Sequence, residues 1–516
     1  MAPRDLAVGV LAISLTIWLR LYYSRKKKMP LPPSPKGYPL VGNVFDMPPS
    51  QSWITFAEWG KKYGGIMSVT LMGQPFIIIN DPAIATEVLD QRGNNYADRP
   101  TFEMANLCGW DRVLSRFVFS APYRLRMPNL YSRFREYRKL ISRVIGTRGC
   151  IEKFNEIEEY QGNMFLKRVL PDPVAFESAT RKSAAALVLQ LTYGYKIEET
   201  GSDPFVDLAD KGMLEFSEIM RPGAFLIEVL PALKYVPSWF PRAGFKRLAA
   251  KYNRSCDELA EVPLAYVREQ MEIQYTADLL SQPDLSDQQL FDIKWSASSF
   301  YSAGSDTTVS VITAYFLAAT KYPHIQDKAQ AEIDRVICRG RLPTLKDRPS
   351  LPYIGALCKE LARWLPIVPL AAPHRAMRDD LYGEYLFPKD AFVIPISGVN
   401  FLHDPKVYRD PMLFNPERYL GPNAEPDPAD MGLFGYGRRV CPGMHLADIS
   451  IWICVVKAVA GLTISRALDE NGVPLDLIAD VTDGIVLRPF PFKCTVKPRS
   501  EQVLKWVEDA TSDAQG

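Results

Sequence analysis

Hydrophobic and polar positions recur with a helical period over most of this chain, and the longest run extends from about Ser286 to Lys321, with no proline before Pro323. At about 1.5 Å per residue it predicts one helix of around 50 Å, long enough to cross an entire domain. Strand patterns are short and few. Met67 to Asn80 (MSVTLMGQPFIIIN) reads as two β-branched strands around a Gly-Gln turn, followed by a short helix from Pro82 to Arg92. Further strand signals lie at Phe392 to Pro395 and Cys494 to Val496. These are too few for a doubly wound sheet and too many for a pure bundle, so the pattern predicts a mostly helical α+β body. No repeat or low-complexity tract divides it, and residues 41–516 are read as one domain.

The amino terminus follows a different pattern. Leu6 to Leu19 is apolar apart from Ser14 and Thr16, and Leu21, Tyr22 and Tyr23 extend the run to membrane-spanning length if Arg20 snorkels. Arg25, Lys26, Lys27 and Lys28 lie behind the apolar run, where a cleaved signal peptide would carry its charge in front. Residues 1–28 are therefore expected to form a retained transmembrane anchor with the body in the cytosol. Residues 29–40 (MPLPPSPKGYPL) are too rich in proline for helix and predict an extended strap between anchor and body. Asn253-Arg254-Ser255 is a glycosylation sequon by pattern, on the wrong side of the membrane for that orientation.

Composition narrows the function. With 47% hydrophobic and 23% charged residues the chain can bury a large core, and a formal net charge of +2 gives no reason to expect a nucleic-acid partner. The cysteines at 108, 150, 256, 338, 358, 441, 454 and 494 include no C-x-x-C pair, which argues against a zinc site and a dense disulfide framework and fits a reducing compartment.

A lone cysteine beside glycines is ordinarily an inert core residue. The run Phe434-Gly435-Tyr436-Gly437-Arg438-Arg439-Val440-Cys441-Pro442-Gly443 differs. Gly435 and Gly437 permit turns that bring amide N–H groups toward a sulfur, and Pro442 opens a helical stretch whose positive dipole end would face it. Both favour thiolate over thiol. The run resembles the haem-ligand signature of the cytochrome P450 family, Phe-x-x-Gly-x-Arg-x-Cys-x-Gly, met by Phe434, Gly437, Arg439, Cys441 and Gly443. The likeness is to the membrane-anchored eukaryotic, fungal type. It extends in motif order from the anchor to Pro489-Phe490-Pro491-Phe492.

The resemblance implies a helical haem domain with small sheets, haem b as cofactor, and Cys441 as axial ligand. It sets Arg439 at a haem carboxylate, Phe434 on the proximal side, and Gly435 and Gly443 near the sulfur. Arg138 and His374 are the further candidates for the haem carboxylates, with Arg375 competing with His374. Phe134 stands where the family more often has tryptophan. Glu360-x-x-Arg363 with Arg418 of Pro416-Glu417-Arg418 resembles the structural ion network of the family. Ala303-Gly304-Ser305-Asp306-Thr307-Thr308 resembles the oxygen-binding groove of its long helix, where the helix opens and Asp306 and Thr307 relay protons.

The activity implied is insertion of one oxygen atom from O2 into a lipophilic molecule at the endoplasmic reticulum membrane. Electrons would come from NADPH through cytochrome P450 reductase, with cytochrome b5 as an optional second donor. The alternatives are a haem-thiolate isomerase or dehydratase acting on peroxides, against which the Asp306-Thr307 pair argues, and a non-catalytic haem-binding protein. The basic stretch Arg133, Arg135, Arg138, Lys139 and Arg143, with Arg438, suits docking of an acidic flavin domain. Arg116 to Arg126 reads as an extra stretch of about ten residues, either an insertion in a loop over the substrate pocket or an untranslated piece retained by a gene-model error.

Overall fold

The long helix forms as expected. Ser286 caps it and exchanges hydrogen bonds with Gln289, helix runs unbroken over Asp287–Lys321, and it stops where Tyr322, at φ −128° and ψ 68°, leaves the α region that a following proline disfavours. Most of its length is buried despite many hydroxyls. Several of the hydroxyls bond back to the helix itself: Ser296 to the Ile293 carbonyl at 2.9 Å, Ser299 to Trp295 at 2.5 Å and Thr320 to Phe316 at 2.7 Å. Gly304 has a packing reason too, since a Cβ there would stand 2.8 Å from a Val188 methyl on the neighbouring helix.

The chain is described here by a computed structural model, which covers residues 29–512 apart from 115–129, 222, 229, 242, 271–274, 339 and 478–479. The expected anchor at 1–28 and the suspected insertion at 116–126 lie outside the described residues. The helices used below are α1 (Leu130–Ile145), α2 (Asn155–Val169), α3 (Phe176–Tyr193), α4 (Pro204–Met220), α5 (Gly244–Gln270), α6 (Asp287–Lys321), α7 (Pro352–Trp364) and α8 (Met444–Gly461). Among the described residues only α8 is long and apolar enough to cross a membrane, and 72% of it is buried inside the protein. It is apolar on all sides because α2, α6 and α7 pack around it.

Four strands form one sheet: β1 (Ile66–Leu71), β2 (Gln74–Ile79), β3 (His374–Arg375) and β4 (Phe392–Pro395), in the order β1-β2-β4-β3. The first hairpin turns at Met72 and Gly73, both with positive φ, rather than at Gly-Gln, because a two-residue hairpin loop needs left-handed backbone at both central positions. β2 pairs parallel to β4, with Phe76 opposite Phe392, and β3 closes the edge with His374 opposite Val393. The Pro-rich strap is docked rather than free. Its Pro32 and Pro33 carbonyls take bonds from the hydroxyl and N–H of Ser68 at 2.6 and 2.8 Å.

The sequon lies within α5. Ser255 is buried against Glu215, and the half-buried Asn253 amide is best placed to donate to Asp257 at 3.1 Å and accept from the Gly109 N–H at 3.3 Å.

Candidate functional site

The cysteine loop is drawn tight by backbone bonds. The Cys441 N–H donates to the Phe434 carbonyl at 2.8 Å, and Gly435 and Gly437 sit at φ of +79° and +53°. Gly437 cannot be replaced cheaply, since a Cβ there would lie 2.4 Å from the Leu89 carbonyl oxygen. Its N–H goes to the Asp90 carboxylate. The N–H that reaches the sulfur belongs instead to Gly443, just ahead of α8. A Cβ on Gly443 would stand 3.9 Å from the Cys441 sulfur.

Burial pushes the Cys441 thiol up, and the Gly443 N–H and the positive charge of Arg138 oppose that. A metal cation at the sulfur would shift the balance to thiolate, since it deprotonates a coordinated thiol outright.

Arg138 on α1 donates to the Val440 carbonyl at 2.6 Å; its burial lowers its proton affinity and the Cys441 sulfur raises it. Arg439 donates to the carbonyls of Ala97 at 2.7 Å and Leu114 at 3.4 Å, and its guanidinium lies 4.1 Å over the Phe134 ring. Phe134 thus keeps the packing that a tryptophan would give without an indole donor. Phe434 and Gly435 are half-buried beside the same loop.

His374 and Arg375 point to different fates. Arg375 is consumed by Asp98, with bonds of 2.8 and 3.1 Å. His374 sets Nδ1 at 2.7 Å from the Tyr96 carbonyl, and burial, then the charges of Arg99 and Arg439, hold its pKa well below the ordinary value. This leaves an electropositive wall in which Arg99, absent from the expected set, takes part.

Glu360, Arg363 and Arg418 come together as expected. Arg363 binds both Glu360 oxygens at 2.7 and 2.8 Å, Arg418 binds them at 3.1 and 3.2 Å, and the Asn415 N–H adds a bond of 2.8 Å. Glu425, which no local motif announces, takes Arg418 at 2.5 Å and balances the charge.

On α6, Ala303 is exposed and Thr307 half-buried within an otherwise buried stretch, which leaves one face of the helix accessible there. The helix does not open here. The Thr307 hydroxyl donates to the Ala303 carbonyl at 3.0 Å, within unbroken helical geometry. Asp306 is turned away from that face and ion-paired with Arg488, with Arg181 of α3 at 4.0 Å and Asp210 of α4 a further 3.7 Å beyond Arg181. The sequence pattern carried no sign of these partners.

The basic stretch on α1 divides. Arg133 bonds Gln288 at 2.6 Å and lies over Phe291, and Arg138 serves the cysteine loop, whereas Arg135, Lys139 and Arg143 are exposed at four-residue spacing and Arg438 is exposed beside the loop.

A partly exposed cysteine in a glycine-bent loop, buried cationic side chains close to that loop and an accessible patch on an otherwise buried helix are what a flat, dianionic metal macrocycle bound through one thiolate would need. A family model described as Cytochrome P450 matches residues 32–460. The chain is 44% identical to cytochrome P450 monooxygenase 208 of Postia placenta over 96% of both chains. It is 38% identical to cytochrome P450 monooxygenase claR of Ampulloclitocybe clavipes, over 98% of this chain and 93% of the relative. To the tryptamine 4-monooxygenase of Psilocybe cyanescens it is 35% identical over 96% and 99%. The chain belongs to the cytochrome P450 family and is a monooxygenase, with haem bound through an axial cysteine as its cofactor.

Proposed function

We propose that the protein is a single-pass, membrane-anchored monooxygenase of the endoplasmic reticulum, with its catalytic body from residue 41 onward in the cytosol. It inserts one oxygen atom from O2 into a lipophilic small molecule of secondary or xenobiotic metabolism, using NADPH electrons passed on by cytochrome P450 reductase. The observation that carries this reading is the partly exposed Cys441, with the Gly443 N–H at its sulfur and Arg138 bonded to the neighbouring Val440 carbonyl, together with the accessible Ala303 and Thr307 face of α6.

Bound haem supplies the activation of dioxygen. The residues of the chain do the rest. Cys441 is the iron ligand, and Arg138, Arg439 and His374 receive the haem carboxylates, since a buried carboxylate without partners is costly. Glu360, Arg363 and Arg418 hold α7 against the segment that leads to the cysteine loop. Thr307 releases the Ala303 carbonyl to present its hydroxyl to the cavity. Asp306, once turned from Arg488, passes a proton by way of water toward Thr307, replenished from the side of Asp210, which is 40% exposed. Arg135, Lys139, Arg143 and Arg438 offer the reductase an outward basic face.

The test is expression of the full chain with a reductase in membranes and a screen of lipophilic metabolites that includes indole amines, because one relative is a tryptamine 4-monooxygenase. The expected product is heavier by one oxygen atom, carries label from labelled O2 and not from water, and requires NADPH. Rearrangement of an added peroxide without O2 or reductase would contradict the reading.

A further inference from the structure

Charged side chains from two distant segments grip the cysteine loop, one on either side of the turn that precedes the sulfur. After the turn, Arg138 of α1 donates to the carbonyl of Val440, the residue before Cys441, at 2.6 Å. Ahead of it, the Gly437 N–H donates to the carboxylate of Asp90, on the helical segment Glu87–Gln91. Gly437 opens the turn Gly437–Arg439, and the Val440 N–H returns to the Gly437 carbonyl at 3.1 Å. A hold on Gly437 is therefore passed through one hydrogen-bonded turn to the neighbour of Cys441.

Packing brings Asp90 into register for this bond. Val88 and Leu89, 0% and 1% exposed, share a core with Tyr436 and with Ile77 and Ile79 of β2. Leu89 turns its backbone carbonyl toward the loop, so closely that a Cβ on Gly437 would lie 2.4 Å from that oxygen and 3.3 Å from the Asp90 Oδ1. Asp90 follows Leu89 and is exposed, so its carboxylate reaches the N–H from the solvent side. Glu87, one turn earlier on the same segment, is used differently: Arg92 takes it at 2.8 Å and the Tyr382 hydroxyl at 3.0 Å.

Water could serve an N–H at the surface, so satisfying Gly437 does not by itself call for an acid. A carboxylate makes the bond charge-assisted, about twice as strong as a neutral one. Its sign is also wrong for docking. Arg438, the next residue of the loop, is exposed on the basic face proposed for the reductase, and an acid at that place weakens the attraction for an acidic partner. The hold on the loop is the effect that offsets this cost.

We propose that Asp90 is a positioning residue for Cys441: through the Gly437 N–H its carboxylate keeps the cysteine loop in the shape that presents the sulfur to haem iron. This rests on the haem site proposed above. The experiment compares full-length wild type with Asp90→Asn, which keeps an acceptor oxygen without the charge, and Asp90→Ala, which keeps neither. The reduced, carbon monoxide-bound proteins are held in urea below the unfolding transition, and the rate at which the thiolate-type Soret band is lost is read beside the melting temperature.

Asp90→Ala is expected to lose the band about ten-fold faster than wild type and Asp90→Asn about three-fold faster, with both melting temperatures unchanged. A wild-type rate in Asp90→Ala overturns the proposal. So does a faster loss matched by a lower melting temperature, since that is general destabilisation rather than a hold on the loop. A lower KM for the reductase without faster loss of the band overturns it as well, because Asp90 would then act on docking alone. If Asp90→Ala fails to accumulate with haem while Asp90→Asn does, the acceptor is required and the proposal is supported; if neither accumulates, Asp90 is a folding residue and the proposal is overturned. A wild-type protein without the thiolate band would instead overturn the functional reading, a result visible before any variant is made.

Discussion

Two buried carboxylates in this protein each meet two arginines, yet their surroundings differ. Glu360 is fully buried, as is Arg363, and the Arg418 side chain is 2% exposed. Both arginines also donate to backbone carbonyls, at Leu402, Arg409 and Leu413, and Glu425 supplies a second anion. Asp306 is nearly as buried, but its partners Arg181 and Arg488 are 23% and 21% exposed and come from separate elements. The same charges therefore make a bolt in one place and a releasable contact in the other. What distinguishes them is how many further bonds hold the arginines and how much water reaches them.

A third acid gives the limit with no cation. Glu158 on α2 is fully buried; one oxygen takes the Ser450 hydroxyl at 2.9 Å, while Oε2 has no partner among the described residues. Burial drives its pKa up to about 8, so it is held as the neutral acid near neutral pH.

The largest effect should come from the bolt. Glu360→Gln leaves two buried guanidinium groups short of an anion, at a cost of about 3–5 kcal/mol. Expression should yield little or no haem-containing protein, and holoprotein of wild-type melting temperature would break the contrast. Asp306→Asn should instead fold and bind haem, while NADPH-dependent product formation falls about 100-fold, the usual scale for loss of a proton-transfer group. An equal loss of haem content in both variants would mean that Asp306 is a bolt as well.

Glu158 predicts a dependence on pH whose sign follows from its raised pKa. The unfolded chain ionises near the ordinary 4.5 and the folded one near 8, so the folded state holds the extra proton between these values and wild-type stability falls as pH rises across that window. Glu158→Gln should remove this slope, gaining on the order of 3 kcal/mol over wild type by pH 8 and nothing near pH 4. Denaturant titrations at the two pH values read it; parallel behaviour of the two proteins would show that Glu158 is ionised in the fold. The smallest effect is expected for Arg488→Gln. Loosening the contact of Asp306 should change the ratio of product to hydrogen peroxide by about three- to ten-fold while the melting temperature stays put, as suits a contact whose arginine still reaches water.

Local signals account for what could be read in advance. The long helix, the β1–β2 hairpin, the positive φ of Gly435 and Gly437, and the Glu360, Arg363 and Arg418 set depend on short patterns and near neighbours. Features made by distant segments were not legible. Arg488 and Arg181 come to Asp306 from 182 and 125 positions away, and Asp98, which takes Arg375 and leaves His374 in the cationic wall, lies 277 residues before its partner. Arg99, which bonds the Ala372 carbonyl from 273 positions away, is likewise unmarked by its local sequence. The burial of Cys441, which opposes ionisation of its thiol, is likewise a property of the whole fold.

The central claim is that Cys441 is bound to haem iron as a thiolate, and the carbon monoxide difference spectrum of the dithionite-reduced full-length protein tests it most directly. The account predicts the red-shifted Soret band of thiolate-ligated haem, abolished in Cys441→Ser. A band of the histidine-ligated type in wild type, or an unchanged thiolate band in Cys441→Ser, would contradict it.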